Sequence, residues 1–442
     1  MIVTRFSIAP GTSLHVGNAR LALAGWLLAR HQGGKFKLRL DDAEIGEPGN
    51  ADAILGDLRW LGLDWSETHR QSDRRLQYAA AAETLKRAGR LYPCFESDEE
   101  LAVKHELRLR RGQPLAYDRA MLKLTEAQRT AAEAGGKRPH WRFRLSDYEA
   151  SWGDLVLGRR RVKLPALSDP VLLRADDRPH GLLTTAVDDI ADGISHVIRG
   201  EERVAFTGMQ LDLMAALGAN PGAIAFAHLP RLTDPQGARL GRRSGAAALR
   251  SLRHDGIEPA ALASYLARLG TPLLLDPMSL GDLAKTFDLS MFSATAPRFQ
   301  IDELLTLNRR VLGAMSFTEA AARLPAGATE AFWLAIRGQL DLLAESRGYW
   351  DVVAGTIVPP VIEGEGDFLR TALAQLPLEP WTADIFPVWT AALRAQTGRE
   401  GQDLLLPLRL ALTGEEQGPD LDSLLPLIGR ARAAQRLQIA AN

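Results

Sequence analysis

Two residues that could act on a phosphate, His15 and Gly17, stand between a predicted strand and a predicted helix. Residues 2–6 are rich in β-branched and aromatic side chains, which indicates a buried strand, and residues 7–13 contain the turn formers of a loop. At such a loop, free backbone N–H groups and the helix dipole attract a phosphate. His15 can donate a hydrogen bond to a phosphate oxygen, and Gly17 allows a ligand to approach closely. The alternative is a capped helix start with a structural histidine.

The helix that follows covers residues 17–31 and carries apolar side chains at helical spacing. Arg20 and Arg30 are the charged residues among them, and we expect both on the outer side of the helix. The pattern therefore predicts one long helix that packs its apolar face on a sheet.

Charged residues follow two further predicted strands. Residues 35–40 alternate polar and apolar side chains before Asp41, and residues 194–198 form an apolar strand before Arg199. The carboxyl ends of parallel strands are a common place for a ligand. There, Asp41 can bind an ammonium group, and Arg199 can pair bidentately with a carboxylate. The alternatives are a turn or helix-start carboxylate at position 41, and a structural ion pair of Arg199 with a glutamate two or three positions later.

The composition limits the possible functions. A chain of 442 residues has room for about three domains, and its single cysteine, Cys94, allows neither an intrachain disulfide nor a cysteine-based zinc site. An apolar run of about 18 residues is absent, which argues against a membrane span, and the sequence begins without the pattern of a secretion signal.

The net charge of −1 does not by itself suggest nucleic-acid binding, but such a partner needs only local basic surfaces. Arginines cluster at four places, each of which is alternatively a solvated face: Arg108, Arg110 and Arg111; Arg159, Arg160 and Arg161; Arg239, Arg242 and Arg243; Arg309 and Arg310.

Residues 15–18, His-Val-Gly-Asn, resemble the HIGH motif of class I aminoacyl-tRNA synthetases. Further segments resemble bacterial glutamyl-tRNA synthetases in the same order along the chain: residues 5–6, 14–20, 33–36, 38–42, 193–202, 226–230 and 398–414. The resemblance spans essentially the full length. The chain is therefore identified as a divergent paralogue in the glutamyl-tRNA synthetase family.

The resemblance implies an α/β, Rossmann-type class I synthetase catalytic domain with a connecting insertion, followed by an all-α anticodon-binding part. The catalytic domain is expected over residues 1–95 and 181–236, and the insertion that grips the tRNA acceptor end over residues 96–180. A KMSKS-like loop with a helical stem-contact domain is expected over residues 237–325, and the all-helical anticodon-binding domain over residues 326–442.

The activity that the resemblance implies is that of a glutamate–tRNA ligase. Glutamate and ATP, with Mg²⁺, give glutamyl-adenylate and pyrophosphate, and the terminal ribose of the tRNA then takes the acyl group. The expected acceptor is tRNA(Glu). The resemblance further implies a monomeric, cytoplasmic enzyme of translation without a membrane partner, and the single cysteine implies no protein-bound zinc.

The resemblance also assigns site residues, position by position. Catalytic roles fall on His15, Gly17, Asn18 and Arg242; ATP binding on His15, Gly17, Leu232, Arg239, Leu240, Arg242 and Arg243; and amino-acid binding on Arg5, Ser7, Ala9, Asp41, Gly181, Thr185 and Arg199. Arg242 stands where the family's second signature loop has its key lysine, whose charge neutralises the pyrophosphate side of the transition state. No metal ligand is expected.

Several positions depart from the family pattern. Ala9 and Gly241 replace serines, Gly181 replaces a tyrosine, Ala43 replaces a threonine, and Glu47 reverses a charge expected to face the tRNA end. A buried hydrogen bond that loses one partner costs about 1–3 kcal/mol. Three hypotheses follow: a working glutamyl-tRNA synthetase, a paralogue that activates another acid or serves another acceptor, and a non-catalytic tRNA-binding or regulatory protein.

Overall fold

The computed structural model describes residues 1–11, 13–44, 51–112, 116–240, 247–382 and 384–442. These residues divide into two compact units. The first unit comprises Met1–Leu252 and Ala263–Gln300, and the second comprises Arg253–Leu262 and Ile301–Asn442. All strands of the described residues lie in the first unit, and the second unit is helical.

The strands of the described residues form two sheets. In chain order they are β1 (Val3–Ile8), β2 (Lys35–Leu40), β3 (Glu67–Arg70), β4 (Leu91–Cys94), β5 (His140–Phe143), β6 (Glu149–Asp154), β7 (Gly158–Lys163), β8 (Val171–Leu173), β9 (His196–Gly200) and β10 (Ala225–Leu229). The larger sheet has the order β3-β2-β1-β9-β10-β6-β7, and the smaller one the order β4-β5-β8. Neighbours in the larger sheet are parallel except for the β6–β7 hairpin, and the smaller sheet is antiparallel.

Helices alternate with the strands in the first unit and make up the second. They are α1 (Val16–His31), α2 (Asp52–Trp60), α3 (Arg75–Arg87), α4 (Asp98–Arg110), α5 (Glu126–Ala134), α6 (Gly181–Ala191), α7 (Val204–Ala216), α8 (Leu249–His254), α9 (Pro259–Arg268), α10 (Leu280–Lys285), α11 (Ile301–Ala314), α12 (Phe317–Ala320), α13 (Glu330–Ile336), α14 (Ser346–Ala354), α15 (Gly366–Ala374), α16 (Ile385–Thr397), α17 (Gly401–Thr413), α18 (Leu421–Ile428) and α19 (Arg430–Ala440).

The parallel sheet confirms the predicted Rossmann-type α/β fold. In β2 every residue after the first is buried, and because successive side chains point to opposite faces, both faces of this strand are covered. Between β1 and β9 the order of the strands reverses, which places a crevice at their carboxyl ends. Two strands extend beyond their predicted ends. The first was predicted to end at residue 6 but β1 reaches Ile8, and the other was predicted to end at residue 198 but β9 reaches Gly200, because pairing with β2 and β10 continues that far. Arg199 therefore lies within a strand and not after one.

The expectation that Arg20 faces outward was wrong. The Arg20 side chain is buried, and its terminal nitrogens donate to the carbonyl oxygens of Pro230 at 2.9 Å and Leu269 at 3.0 Å. The reason is that α1 is covered on nearly all sides, with eleven buried residues, so position 20 meets backbone and not water. Burial lowers the pKa of Arg20 to about 10.

Part of the segment expected as the insertion extends the larger sheet. The hairpin of β6 and β7 joins this sheet through the parallel pairing of β6 with β10, where Asp154 lies opposite Phe226. The segment also contains helices α4 and α5 and two strands of the smaller sheet, β5 and β8. Asp154 thereby stands beside the strand that carries His228, far from it in sequence.

The second unit has a core of its own. Its largest fully buried side chains are Trp333 and Trp389, and the indole of Trp389 donates to the carbonyl oxygen of Ala372 at 3.0 Å. Leucines of α17, α18 and α19 complete the core. This arrangement confirms the predicted helical C-terminal part.

Candidate active site

His15 caps the first helix. Its Nδ1 atom accepts the backbone N–H of Gly17 at 3.0 Å, which makes His15 the N-cap of α1. Because Nδ1 is the acceptor, the imidazole proton is placed on Nε2. A Cβ atom at Gly17 would meet Cε1 of His15 at 2.7 Å, so the glycine is what lets the ring lie over the helix start.

A cavity of about 140 Å³ opens at this helix start. Six residues expected to bind ATP or act in catalysis line it: His15, Gly17, Asn18, Leu232, Arg239 and Leu240. The first three come from the start of α1 and its N-cap, and the others from the chain after β10, so the fold brings together residues more than 200 positions apart. Glu202 lines the same cavity, and so do Arg20 and Arg231.

The segment after β10 is held by its own backbone bonds. The N–H of Leu240 donates to the carbonyl oxygen of Leu232 at 3.2 Å, and Oδ1 of Asp234 accepts the N–H of Ala238 at 2.7 Å. Gly237 turns this segment with a φ of +85°. Arg239 is thereby positioned on the cavity wall, while the predicted residues Gly241, Arg242 and Arg243 lie outside the described residues, as does Glu47.

A buried ionic network lies at the carboxyl ends of β1 and β2. Oδ1 of Asp189, on α6, accepts from Nε of Arg5 at 3.1 Å and from Nη1 of Arg39 at 2.9 Å. Nη2 of Arg39 donates to Oγ1 of Thr185 at 3.2 Å, and Nε of Arg39 donates to Asp41 at 2.8 Å. Three residues expected at the amino-acid site, Arg5, Thr185 and Asp41, are therefore joined through two that were not expected there.

Arg39 and Asp189 are the residues that the sequence prediction missed. Burial alone would raise the pKa of Asp189, but the cations of Arg5 and Arg39 lower that pKa below its ordinary value. Burial likewise opposes the charge of Arg39, and the carboxylates of Asp41, Asp189 and Asp188 together raise its pKa. A charged residue in a mostly apolar helix is rarely buried without a partner, and this was the available signal for Asp189.

Asp188 anchors the neighbouring elements to α6. Its carboxylate accepts from the hydroxyl of Tyr78 at 2.9 Å, from Gln71 at 3.0 Å and from Arg74 at 3.1 Å. Burial raises the pKa of Asp188, although the cation of Arg39 acts in the opposite direction. Asp188 therefore holds α3 and the turn of residues 71–74 against α6.

Arg199 is buried, with 9% of its surface exposed. Nη1 donates to Gln210 at 2.9 Å, Nη2 to Thr207 at 2.5 Å and Nε to His228 at 3.2 Å. The guanidinium also lies between the rings of Phe206 and Phe226, at 5.3 and 5.2 Å from their centroids. Burial and the nearby cation of Arg5 lower the pKa of Arg199 to about 9, which leaves it charged at neutral pH.

The proposed alternative partners of Arg199 are engaged elsewhere. Glu201 accepts the backbone N–H of Arg231 at 3.0 Å, and Glu202 accepts from Nε of Arg231 at 3.3 Å. Among the described residues, the contacts of Arg199 are therefore polar neutral side chains and rings, not these glutamates.

Four polar side chains form one row across the sheet. Arg39 pairs with Ser7 across β2 and β1, and Arg199 pairs with His228 across β9 and β10. Thr4 of β1 lies opposite His196 of β9, and three residues further along these parallel strands Ser7 lies beside Arg199. The hydroxyl of Ser7 is buried and has no hydrogen-bond partner among the described residues. A buried hydroxyl between two cations is suited to contact a bound anionic group.

Gly181 begins α6 against a carboxylate. Oε1 of Glu44 accepts the N–H of Gly181, and Oε2 accepts from Arg174 at 3.2 Å. A Cβ atom at position 181 would lie 2.9 Å from Oε1 of Glu44, so this carboxylate occupies the space that a larger residue would use. Ala9, another expected amino-acid contact, directly follows β1.

Metal ligands and membrane spans were also sought. Within the described ranges, three or more His, Cys, Asp or Glu side chains are nowhere grouped to hold a metal ion. Over those same residues, every helix is too short or too polar to cross a membrane.

Comparison with known proteins assigns both parts of the chain. Residues 1–306 match the family described as tRNA synthetases class I (E and Q), catalytic domain, and residues 363–441 match the anticodon binding domain. The chain is 53% identical over 439 residues to Glutamate–tRNA ligase 2 of Gluconacetobacter diazotrophicus, covering 99% of both chains. It is 54% identical over 443 residues to Glutamate–tRNA ligase 2 of Acidiphilium cryptum, covering 100% of both.

A solved structure agrees with these relatives. The glutamate tRNA ligase from Elizabethkingia meningosepticum, determined in complex with its amino acid, superimposes with a TM-score of 0.87 at 25% identity, covering 100% of this chain and 99% of that one. A family match over more than half of the chain, and full-length relatives above 50% identity, leave no part of the fold unaccounted for. The chain belongs to the glutamate–tRNA ligase family of class I aminoacyl-tRNA synthetases.

Proposed function

We propose that this chain is a glutamate–tRNA ligase, which activates glutamate with ATP and transfers it to the 3′ end of tRNA, with tRNA(Glu) as the acceptor. The observation that carries the proposal is the full-length identity to relatives of that name, at 53% and 54%. As such an enzyme, the chain acts in translation in the cytoplasm, as a monomer.

The cavity at the start of α1 is the ATP site of this proposal. The Nε2–H of His15 and the N-terminus of α1 donate to phosphate oxygens, and Arg239 adds a positive charge on the opposite wall. Leu232 and Leu240 contact the adenine, and Arg242 and Arg243 complete the charge around the pyrophosphate. Mg²⁺ enters with the ATP phosphates, the usual way in which this ion binds beside a nucleotide.

Two residues of the polar row, Arg199 and Ser7, form the amino-acid site together with Asp41. Arg199 pairs with a carboxylate of glutamate, the hydroxyl of Ser7 lies next to it, and Asp41 binds the α-ammonium group. In the first step, an oxygen of the glutamate α-carboxylate forms a bond to the α-phosphorus of ATP, and the bond from that phosphorus to the bridging oxygen of pyrophosphate breaks. In the second, the ribose hydroxyl of the tRNA terminus attacks the acyl carbon, loses its proton and releases AMP.

The remaining parts of the chain are assigned to tRNA. We place the contact with the acceptor end in residues 96–180, the stem contact in residues 237–325, and anticodon binding in residues 326–442. The match of residues 363–441 to an anticodon binding domain supports the last assignment.

The experiment that tests the function is aminoacylation of total tRNA with ATP, Mg²⁺ and each of the twenty amino acids separately. Charging with glutamate alone is the expected result. Charging with another acid would favour a paralogue of altered specificity, for which the carboxylate of Glu44 against Gly181 is the supporting observation. Retained tRNA binding without charging would contradict the proposal and favour a binding protein.

A substitution at Arg199 tests the amino-acid site. In Arg199→Lys, the ammonium group keeps the charge but loses the planar pair of donors, so we expect the KM for glutamate to rise about tenfold or more. The matched control is Arg436→Lys, a buried arginine of the second unit whose Nη1 donates to the carbonyl oxygen of Leu412 at 2.7 Å. Equal glutamate KM values in both variants would remove Arg199 from the site.

A further inference from the structure

Behind Arg199 lies a buried chain of hydrogen bonds that the mechanism has not used. Oδ2 of Asp154 bonds to Nδ1 of His228, and Nε2 of His228 bonds to Nε of Arg199 at 3.2 Å. The side chains of Asp154 and His228 are fully buried. The three residues come from β6, β10 and β9, which are consecutive in the sheet.

The positions of the protons along this chain of hydrogen bonds follow from the groups that accept them. Oδ1 of Asp154 accepts the backbone N–H groups of His228 at 3.1 Å, Val156 at 3.1 Å and Leu157 at 2.9 Å. These bonds and the histidine stabilise the carboxylate, and although burial acts in the opposite direction, they lower the pKa of Asp154 to about 2. An ionised carboxylate only accepts, so Nδ1 of His228 must carry the proton.

With its proton on Nδ1, His228 presents Nε2 as an acceptor to Arg199. The hydroxyl of Thr207, 2.9 Å from the same nitrogen, has the carbonyl oxygen of Arg203 as another acceptor at 3.1 Å. If the proton were on Nε2 instead, it would face the Nε–H of Arg199 at 3.2 Å, donor against donor. The tautomer of His228 therefore decides whether Arg199 can stay in its present orientation.

The orientation matters because it leaves two donors for a ligand. A guanidinium has five N–H groups, and Arg199 uses three of them, one each on Nε, Nη1 and Nη2. One N–H on each terminal nitrogen has no acceptor among the described residues, which is the pair that a carboxylate binds bidentately.

We infer that Asp154 and His228 are positioning residues, which fix the Nδ1–H tautomer of His228 and thereby hold Arg199 in the orientation that binds the carboxylate of the amino-acid substrate. This inference rests on the proposed function, because it assigns Arg199 to glutamate. A purely structural pair would stabilise the sheet without affecting the affinity for glutamate, and that difference is measurable.

The substitution Asp154→Asn tests the tautomer with almost no change in shape. The amide oxygen can keep the backbone bonds, while the amide NH₂ now donates to Nδ1 of His228 and forces its proton onto Nε2. The indole of Trp152, 3.4 Å from Oδ2 in the native chain, is the one other donor that this NH₂ meets among the described residues. We expect the KM for glutamate to rise about tenfold or more, with the KM for ATP unchanged.

Asp212→Asn is the matched control. Asp212 is also a buried carboxylate of the first unit, and it accepts from Arg90 at 2.8 Å and from the hydroxyl of Ser146 at 2.8 Å. It has no contact with Arg199. The control should lower the thermal stability as Asp154→Asn does and leave the glutamate KM at the native value.

A second pair of variants decides the case if Asp154→Asn does not fold. In His228→Gln, the amide oxygen reaches the position of Nε2 and can still accept from Arg199; in His228→Asn, the shorter amide reaches Asp154 but not Arg199. We expect a glutamate KM close to native for His228→Gln and a raised KM for His228→Asn. A structural role alone predicts similar KM values in the two variants.

The readouts are tRNA-dependent charging kinetics for each substrate and the ¹⁵N NMR signals of labelled histidine, which distinguish Nδ1–H from Nε2–H imidazole. A native Nδ1–H tautomer that changes in Asp154→Asn together with a raised glutamate KM supports the inference. A native Nε2–H tautomer would overturn this inference but not the proposed function. An unchanged glutamate KM in a variant whose tautomer has changed would do the same. Absence of glutamate charging by the unaltered chain rejects the proposed function and this inference with it.

Discussion

Arg5 and Arg39, on neighbouring strands, donate to the same carboxylate oxygen, Oδ1 of Asp189, at 3.1 and 2.9 Å. All three side chains are buried. Without Asp189, two buried cations would lie next to each other without the carboxylate that they share. The carboxylate therefore sets the positions of both arginines, and through Gln210, which donates to it at 2.9 Å, it is connected to Arg199.

The substitution Asp189→Asn should strongly destabilise the first unit. Removing one partner of a buried ion pair leaves an uncompensated buried charge, which costs about 3–5 kcal/mol in the free energy of unfolding. Urea titration followed by circular dichroism measures this change.

The control for Asp189→Asn is Asp64→Asn. Asp64 pairs with Arg30 at 2.5 Å on the surface, where its side chain is 69% exposed, so its loss should cost about 0–1 kcal/mol. Similar losses in both variants would contradict the buried role of Asp189.

The arrangement of His15 and Gly17 at a helix start could be predicted from the sequence because these residues are contiguous. His15 and Gly17 stand in one turn, and the helix that follows has a clear apolar period. The strands β1, β2 and β9 were predictable from their own composition, and they disagreed with the prediction only at strand ends, where pairing with a neighbour lengthens a strand.

The buried network around Asp189 could not be predicted in the same way. Asp189 meets Arg5 across 184 positions and Arg39 across 150, and such contacts leave no local pattern. Arg39 also stands in a strand of alternating polar and apolar residues, a pattern typical of a strand with one solvent-exposed face. In the structure, both faces of this strand are covered. Asp154 came to lie beside His228 because the β6–β7 hairpin joins the larger sheet, which no local signal indicated.

The substitution His15→Asn should keep the helix N-cap and remove the hydrogen-bond donor that we propose for ATP. Asparagine is a favoured N-cap and can accept the N–H of Gly17, so stability should stay near native, but the donor on Nε2 is lost. We expect tRNA-dependent ATP–pyrophosphate exchange to fall about 100-fold or more, as when one preorganised donor to a charged transition state is removed. Affinity for tRNA should not change.

His15→Ala is the comparison for that prediction. It loses the donor and the cap together, so it should match His15→Asn in rate and be less stable by about 1 kcal/mol. Native exchange rates in both variants would remove His15 from the ATP site.

The substitution Gly17→Ala should displace the His15 side chain, which we propose binds ATP. The added Cβ would lie 2.7 Å from Cε1 of His15, so the ring must leave its place over the helix start. We expect the exchange rate to fall about tenfold or more, while helix propensity at position 17 improves by up to about 1 kcal/mol.

Gly56→Ala provides the matched helix control. Gly56 lies within α2, and a Cβ there meets no atom within 4 Å. It should give a similar gain in propensity with a native exchange rate. If Gly17→Ala is equally active, His15 does not depend on the glycine.

The free energy of unfolding should decrease as the pH falls from about 7 to about 5, because burial lowers the pKa of several histidines in the first unit. They are His69, His140, His180, His196 and His228. A pKa that is lower in the folded chain means that the unfolded chain binds protons first, starting near the unfolded value of about 6.5. Stability is therefore complete above about pH 7, decreases below the unfolded pKa, and stops decreasing below the folded pKa values. Each histidine contributes up to about 1.4 kcal/mol per pH unit within that window.

His196→Asn isolates one contribution to this pH dependence. His196 is the clearest case, since burial is the sole cause of its lowered pKa, and its Nδ1 lies 2.9 Å from the hydroxyl of Ser195. The asparagine variant should be less stable at pH 7 but should lose less stability between pH 7 and 5 than the native chain does. Urea titrations at both pH values measure the two slopes. Parallel slopes would show that His196 titrates in the folded chain as it does in the unfolded one.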